Sequence, residues 1–403
     1  MNGGSGRSGG SGGGADGEAR HAGPGADGTG SREGRTGAGR ATPDRPGPGS
    51  SPGHASGRPG PDSGRPGLDH PDRAFLGRTG AWTTRLGFGA AGIGNLYGPV
   101  TDEDAEQALA TAWDRGVRSF DTAPHYGLGL SERRLGAFLR DRPRDAYSLS
   151  TKAGRLLVPA PGATGDDLAH GFAVPAAYRR EWDFSADGVR RSLEQSLERL
   201  GLDRVDTVYL HDPDDHADQA LREAYPALER LRAEGVVRAV GVGMNQTAVP
   251  ARFVTETDID VVLLAGRYTL LDQSGLSELL PAALDRGVSV VAGGVFNSGL
   301  LADPRPGSPY DYAAAPPETL RRAVRLQEIC RRHGVPLRAA AVRFPLAHPA
   351  VAGVLLGLRG AAEASDAADL LDLDVPAALW DELRREGHLP GHAPVPGPDG
   401  RVR

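Results

Sequence analysis

The chain of 403 residues sets 46 basic side chains against 52 acidic ones, a net charge of −6 with an isoelectric point near 6.0, which excludes the basic surface that a nucleic-acid binder needs. A single cysteine, Cys330, excludes an internal disulfide, and no apolar run approaches the roughly 20 residues of a membrane-crossing helix or forms the core of a secretory signal. The expectation is a cytoplasmic protein without nucleic-acid or membrane partners, acting on a small molecule as a monomer or a weak homo-oligomer.

Residues 1–72 are Gly, Ser, Pro, Arg and Asp with almost no large apolar side chain. Such a stretch buries too little surface to offset its ordering entropy, so a disordered tail is expected there. Residues 73–403 fit one barrel domain, an architecture that takes about 250 residues plus insertions. Short β-like runs fall at 85–88, 118–121, 148–152, 207–211, 239–242, 261–264, 289–292 and 351–355. Helical runs separate them at 102–114, 131–140, 186–200, 217–233, 247–255, 276–285 and 317–333, and another, 361–371, follows the last strand. Thr101 ahead of Glu103 and Asp104 reads as a helix start, and Gly116, Gly201, Gly235, Gly287 and Gly334 read as helix ends. Eight strand and helix pairs in strict alternation predict a (β/α)8 TIM barrel. Two connections, 154–183 and 293–316, far exceed the roughly 2 to 6 residues usual for a βα loop. Both open at the carboxyl ends of strands, where barrel enzymes keep their active sites, and the first is a candidate substrate loop.

Three predicted strands end on polar residues: Asp121, Lys152 and His211. Tyr126 follows Asp121 closely enough to lean over the same rim. A phenol titrates near pKa ~10 and needs a neighbouring cation to favour its phenolate near neutrality. Lys152 is placed to supply that cation, Asp121 to keep it charged, and His211 to hydrogen-bond the substrate oxygen or the phenol. Lys152 is also the only lysine beside 45 arginines. A compact ammonium differs from a planar guanidinium, so its lone use here points to a chemical requirement at that site.

The stretches Phe120-Asp121-Thr122-Ala123-Pro124-His125-Tyr126-Gly127, Ser131-Glu132-Arg133-Arg134-Leu135-Gly136 and Ser150-Thr151-Lys152, together with residues 192–200, Asp206 and His211, resemble the aldo-keto reductase superfamily from about residue 78 to 396. The resemblance implies an NAD- or NADP-dependent oxidoreductase with Tyr126 as general acid/base and Lys152, Asp121 and His211 completing a tetrad. Residues 151–157, 241–246 and 265–272 are similar to a branch that oxidises aldoses of the L-fucose, L-galactose and D-arabinose type, or pyridoxal. That likeness implies oxidation of an aldose at C1 to its lactone. A reductase of simple aldehydes or ketones, a barrel that only senses cofactor, and a Schiff-base lyase acting through Lys152 are the alternatives.

The resemblance also implies where the cofactor and substrate touch the chain. Asn245 stands in for the usual carboxamide-holding pair, Gly293 replaces a tyrosine that stacks on nicotinamide, and Phe296 or the loop backbone is left to cover the ring. Gly357, Arg359 and Glu363 fall where the adenosine phosphate sits, at a helix start that favours anions. Arg359 suits a 2′-phosphate, yet Gly360, Ser365 and Ala367 remove the family's other polar contacts there. NAD and NADP both remain open. His125, Trp182 and Tyr97 are candidates for the substrate pocket.

Two further signals are set aside. The glycines of 87–92 match a dinucleotide fingerprint, but no helix starts within them, since Gly94, Asn95, Gly98 and Pro99 intervene. The run 211–216 holds metal-ligand types, but its proline and close spacing read as a loop, and no metal is expected.

Overall fold

The computed structural model describes residues 73–311 and 313–397. The expected tail, residues 1–72, lies outside the described residues. Eight strands form the barrel: β1 (Leu86–Gly89), β2 (Ser119–Asp121), β3 (Ser148–Ala153), β4 (Thr207–His211), β5 (Ala239–Met244), β6 (Val261–Ala265), β7 (Ser289–Gly293) and β8 (Val351–Gly357). Each is parallel to the next in chain order, and β8 pairs with β1 to close the ring. The (β/α)8 expectation is met strand by strand.

Strand alternation decides what reaches the interior. Phe120, Leu149, Val208 and Leu210 face the helices and join the large outer core. The residues between them turn inward, so Ser119, Asp121, Ser148, Ser150, Thr207 and Tyr209 line a small cavity inside the β2–β4 side. On the opposite side the filling is apolar, with Val261, Leu263 and Val291 packed together.

A hairpin, Arg73–Phe75 paired with Trp82–Thr84, plugs the amino-terminal end of the barrel. Its turn buries Leu76 and Ala81 against Tyr209, Val261 and Leu263. Gly77 N–H donates to Ser289 Oγ at 2.8 Å, and Thr84 N–H donates to Ser119 Oγ at 2.6 Å. Three-residue strands are too short to show a period, so the sequence does not announce this plug.

The helices follow their expected positions with instructive departures. Helix Asp102–Asp114 starts on Thr101, whose hydroxyl accepts from Asp104 N–H at 3.0 Å, and it buries Ala105, Ala108, Leu109 and Ala112 at helical spacing. The run 217–233 is not one α-helix. It opens at Ala217–Gln219, widens into a π-helical stretch at Ala220–Ala224 and resumes at Tyr225–Ala233. Pro226 lacks an N–H and would crowd the carbonyl four residues back, and the wider turn relieves both problems. The expected helix 276–285 becomes a 3-10 turn, Ser274–Leu276, and a helix, Leu279–Arg286. This start puts Pro281 in the first turn, where no intrahelical donor is needed.

Two helices join the expected set. Leu337–Arg343 is buried along almost its whole length and so shows no amphipathic period. Ala377–Arg385 buries Leu379, Trp380 and Leu383 and packs on Pro317–Arg332. Both long loops fold locally. The first forms two antiparallel pairs, Arg155–Pro159 with Tyr178–Trp182 and Asp166–Asp167 with Phe172–Pro175, and the second forms Pro309–Tyr310 with Ala313–Ala314. Among the described residues, no helix is long and apolar enough to cross a membrane.

Candidate active site

Asp121, Lys152 and His211 are inward residues at the carboxyl ends of β2, β3 and β4, and the structure brings them together beneath Tyr126. Lys152 Nζ donates to Asp121 Oδ2 at 2.6 Å and to the Thr122 carbonyl at 3.0 Å. Ser150, two residues before Lys152 and on the same face, donates from Oγ to Asp121 Oδ1 at 2.7 Å. The ammonium lies 4.5 Å from the centre of the Tyr126 ring. The His211 ring meets that ring edge-on, with centres 5.9 Å apart and planes at 89°.

Local packing explains why Tyr126 stands there. Gly127 has a φ of +59°, and a Cβ on it would lie 2.2 Å from the Gly94 carbonyl oxygen. The two glycines therefore let the first and second βα loops press together around the tyrosine. Behind it, Ser131 Oγ donates to the Ala90 carbonyl at 2.7 Å and lies 2.8 Å from Thr122 Oγ1. Glu132 is fully buried, accepting from Thr151 Oγ1 at 2.9 Å and from Arg199 Nε at 2.5 Å. The Ser131 to Gly136 stretch thus clamps the Tyr126 loop to the barrel.

The electrostatics correct one expectation. Burial raises the Tyr126 phenol above its ordinary pKa; Lys152 pulls it down, and Asp121 pushes it back up. The ammonium favours the phenolate but does not bring the phenol toward neutrality, because burial outweighs its pull and Asp121, 2.6 Å from it, offsets part of it. Burial also opposes the charge on Lys152, but Asp121 and then Tyr126 outweigh it and hold the lysine above its usual value. His211 lies well below the usual imidazole range, through burial first and then Arg155, Lys152 and His125. Its Nδ1 is buried without a hydrogen-bond partner among the described residues. At neutral pH the site holds a neutral phenol, a charged ammonium and a neutral imidazole.

A cleft of about 490 Å³ runs from Asp121 and Tyr126 across the barrel mouth to the helix Ala361–Asp372. Asn245, Gly293, Phe296, Gly357, Arg359, Glu363 and Tyr97, all singled out in the sequence, line it. Tyr97 reaches over it to Ser298, and that hydrogen bond offsets part of the upward pull of burial on its phenol. A Cβ on Gly357 would meet nothing within 4 Å, so the floor there is open space. At the far end Arg359 N–H donates to Glu363 Oε2 at 2.8 Å, and Arg338 pairs with Asp366. Arg338 and Asp366, both in the lining, were not anticipated: Arg338 belongs to a helix with no visible period, and Asp366 reads as ordinary helix surface.

The substrate-pocket candidates separate. His125 sits beside the tetrad, its ring centre 5.7 Å from that of His211 and 6.2 Å from that of Tyr126. Trp182 does not line the cleft. It is 44% exposed on the outer strand of the first long loop, where it stacks on Phe184 and carries the Arg155 guanidinium 4.2 Å above its ring. Phe172 of the same loop, not singled out in the sequence, covers Tyr126 instead at 6.2 Å. The loop is tied to the first βα loop by Tyr97 N–H to the Gly171 carbonyl at 2.8 Å and Ala173 N–H to the Asn95 carbonyl at 3.0 Å.

Residues 85–385 match the model of the Aldo/keto reductase family. The chain belongs to this family. It is 50% identical over 310 residues to a D-threo-aldose 1-dehydrogenase of Pseudomonas sp, covering 76% of this chain and 94% of that protein. It is 42% identical over 340 residues to a pyridoxal 4-dehydrogenase of Microbacterium luteolum, covering 79% and 98% respectively. An aldo-keto reductase from Bacillus halodurans has the same fold, with a TM-score of 0.62 at 24% identity over 78% of this chain and 95% of that one. This aldo-keto reductase is an oxidoreductase, and enzymes of its family use NAD(H) or NADP(H).

Proposed function

We propose that this aldo-keto reductase oxidises an aldose at its anomeric carbon to a lactone, with Tyr126 exchanging the proton. The observation that carries the reading is the Tyr126 phenol standing over a buried Lys152–Asp121 pair at the head of a glycine-floored cleft. The likeness to an aldose 1-dehydrogenase over 94% of that protein supports the substrate class.

The cleft fits a nicotinamide dinucleotide. Asn245 and Phe296 are placed to hold and cover the nicotinamide end, Gly293 and Gly357 leave room along the floor, and the start of helix Ala361–Asp372 presents backbone amides to phosphate. The bound nicotinamide supplies the hydride acceptor for oxidation and the donor for reduction. During oxidation, the Tyr126 phenolate takes the hydroxyl proton as the C1–H bond breaks and the C1–O double bond forms. Lys152 steadies that phenolate, while His211, held neutral, donates one hydrogen bond to the same oxygen. Lys152 does not act as a Schiff-base nucleophile on this reading, because a lysine held charged by Asp121 has no free pair to attack with.

The far end favours NAD. A 2′-phosphate beside Arg359 would also lie beside Glu363, which already accepts from the Arg359 N–H, and beside Asp366, which already pairs with Arg338. Pyridoxal is the second reading, supported by 42% identity over 98% of a pyridoxal 4-dehydrogenase. Pyridoxal also closes into a cyclic hemiacetal, so the same proton and hydride transfers serve it.

The test is a screen of L-fucose, L-galactose, D-arabinose, pyridoxal and simple aldehydes with NAD and NADP, following reduced nicotinamide. Turnover of the sugars is expected to dominate. Tyr126→Phe is expected to lower kcat by about 10²- to 10⁴-fold while sparing nucleotide affinity; a fully active variant refutes the role.

A further inference from the structure

The first long loop brings the guanidinium of Arg180, as well as that of Arg155, to the side of the tetrad. Arg180, on the strand Tyr178–Trp182, is nearly buried, with only 9% of its side chain exposed. It spans three acceptors. Its Nη1 and Nη2 donate to the two oxygens of buried Asp167 at 2.7 and 2.5 Å. Its Nη2 also donates to the His125 carbonyl at 3.1 Å, and its Nε donates to His125 Nδ1. Asp167 further holds His170 Nδ1 at 2.9 Å.

A guanidinium only donates, so the nitrogen facing it must carry a lone pair. His125 Nδ1 is therefore unprotonated, and the one proton of the neutral ring belongs on Nε2. Among the described residues, no group bonds that Nε2, although the ring adjoins Tyr126 and His211. We propose that Arg180 is a positioning residue that confines the His125 proton to Nε2 and so makes His125 a fixed hydrogen-bond donor to an oxygen of the substrate.

The surroundings agree. The charged and titratable groups facing His125 are Arg180, Asp167 and His170 from the second half of the loop, Arg155 from its first strand, Lys152 from β3, His211 from β4 and Tyr126 beside it. Burial first, then Arg155, Arg180, His170 and Lys152, push its pKa down to about 2. A ring that stays neutral across the working range suits a sugar, whose oxygens offer lone pairs at every carbon. In this respect the inference rests on the proposed substrate class.

The test uses the full chain. Imidazole ¹⁵N NMR, assigned with His125→Asn, is expected to show the Nε2–H tautomer of His125 without titration from pH 5 to 8; this measurement needs no substrate. Arg180→Met is expected to let the proton of the ring move in part to Nδ1, read from the same ¹⁵N shifts. It should also raise KM for L-fucose about tenfold, the effect of losing one hydrogen bond, while leaving NAD affinity unchanged. Arg180→Lys, which restores a donor, is expected to recover the Nε2–H tautomer and the wild-type KM. A wild-type ring protonated on Nδ1, or titrating from pH 5 to 8, overturns the proposal even if the Met variant does not fold. So does an Arg180→Met enzyme with wild-type KM and an unchanged tautomer. If wild-type enzyme oxidises none of L-fucose, L-galactose and D-arabinose, the substrate class fails, while the NMR result still decides the tautomer.

Discussion

The two sides of the barrel mouth are built in opposite ways. Over β2, β3 and β4, buried charges and rings are crowded together: Lys152 on Asp121, Tyr126 under Phe172, Arg180 on Asp167 and His125. Over β6, β7 and β8 the mouth is lined by Gly266, Gly293, Gly294 and Gly357 together with side chains such as Phe296 and Arg359. On the proposed reading, one side places functional groups and the other leaves space for a ligand. A reaction that couples proton and hydride transfer needs both, since the proton requires a tuned side chain and the hydride requires a snugly seated ring.

That contrast can be broken most severely at Lys152. Lys152→Met leaves the Asp121 carboxylate buried and unpaired, which should cost about 3 to 5 kcal/mol of stability and remove most turnover; denaturant unfolding and initial rates read the two effects. The pH dependence comes next. Because burial raises the Tyr126 phenol above its ordinary pKa, the oxidation rate, where proton transfer limits it, should climb with pH above 7, about tenfold per unit while the phenol stays mostly protonated, and a plateau by pH 8 would contradict the assignment. On the open side stands Gly357→Leu, whose Cβ would meet no neighbour within 4 Å. It should leave the melting temperature unchanged while weakening nucleotide binding by roughly tenfold or more, since the added side chain occupies volume the ligand needs; fluorescence titration with NAD decides it. The smallest effect belongs to Glu363→Gln with Asp366→Asn, expected to shift the NADP-to-NAD affinity ratio by about tenfold toward NADP.

The crowded side was the legible one. Asp, Lys and His at the carboxyl ends of buried strands are anomalies of residue type, and period-two alternation turned them to one interior. A lone ammonium among arginines sharpened the pattern. Arg180 escaped because its partners lie 13 and 55 residues away and its meaning comes from a hairpin that composition does not reveal. The glycine floor was only partly legible: Gly293 and Gly357 entered through the resemblance, whereas absence of a side chain leaves no periodic trace. The tuning of Tyr126 was misjudged for a different reason, since the sequence names the charges near a phenol but not how completely burial and a paired carboxylate offset them.

With Lys152 sealed in the barrel and every other basic side chain a guanidinium or an imidazole, the folded surface offers no ε-amine. Amine-selective acylating reagents will therefore find no lysine target on the native molecule. A lysine adduct becomes possible when the barrel opens, so intact mass after brief acylation counts the unfolded fraction without any introduced label.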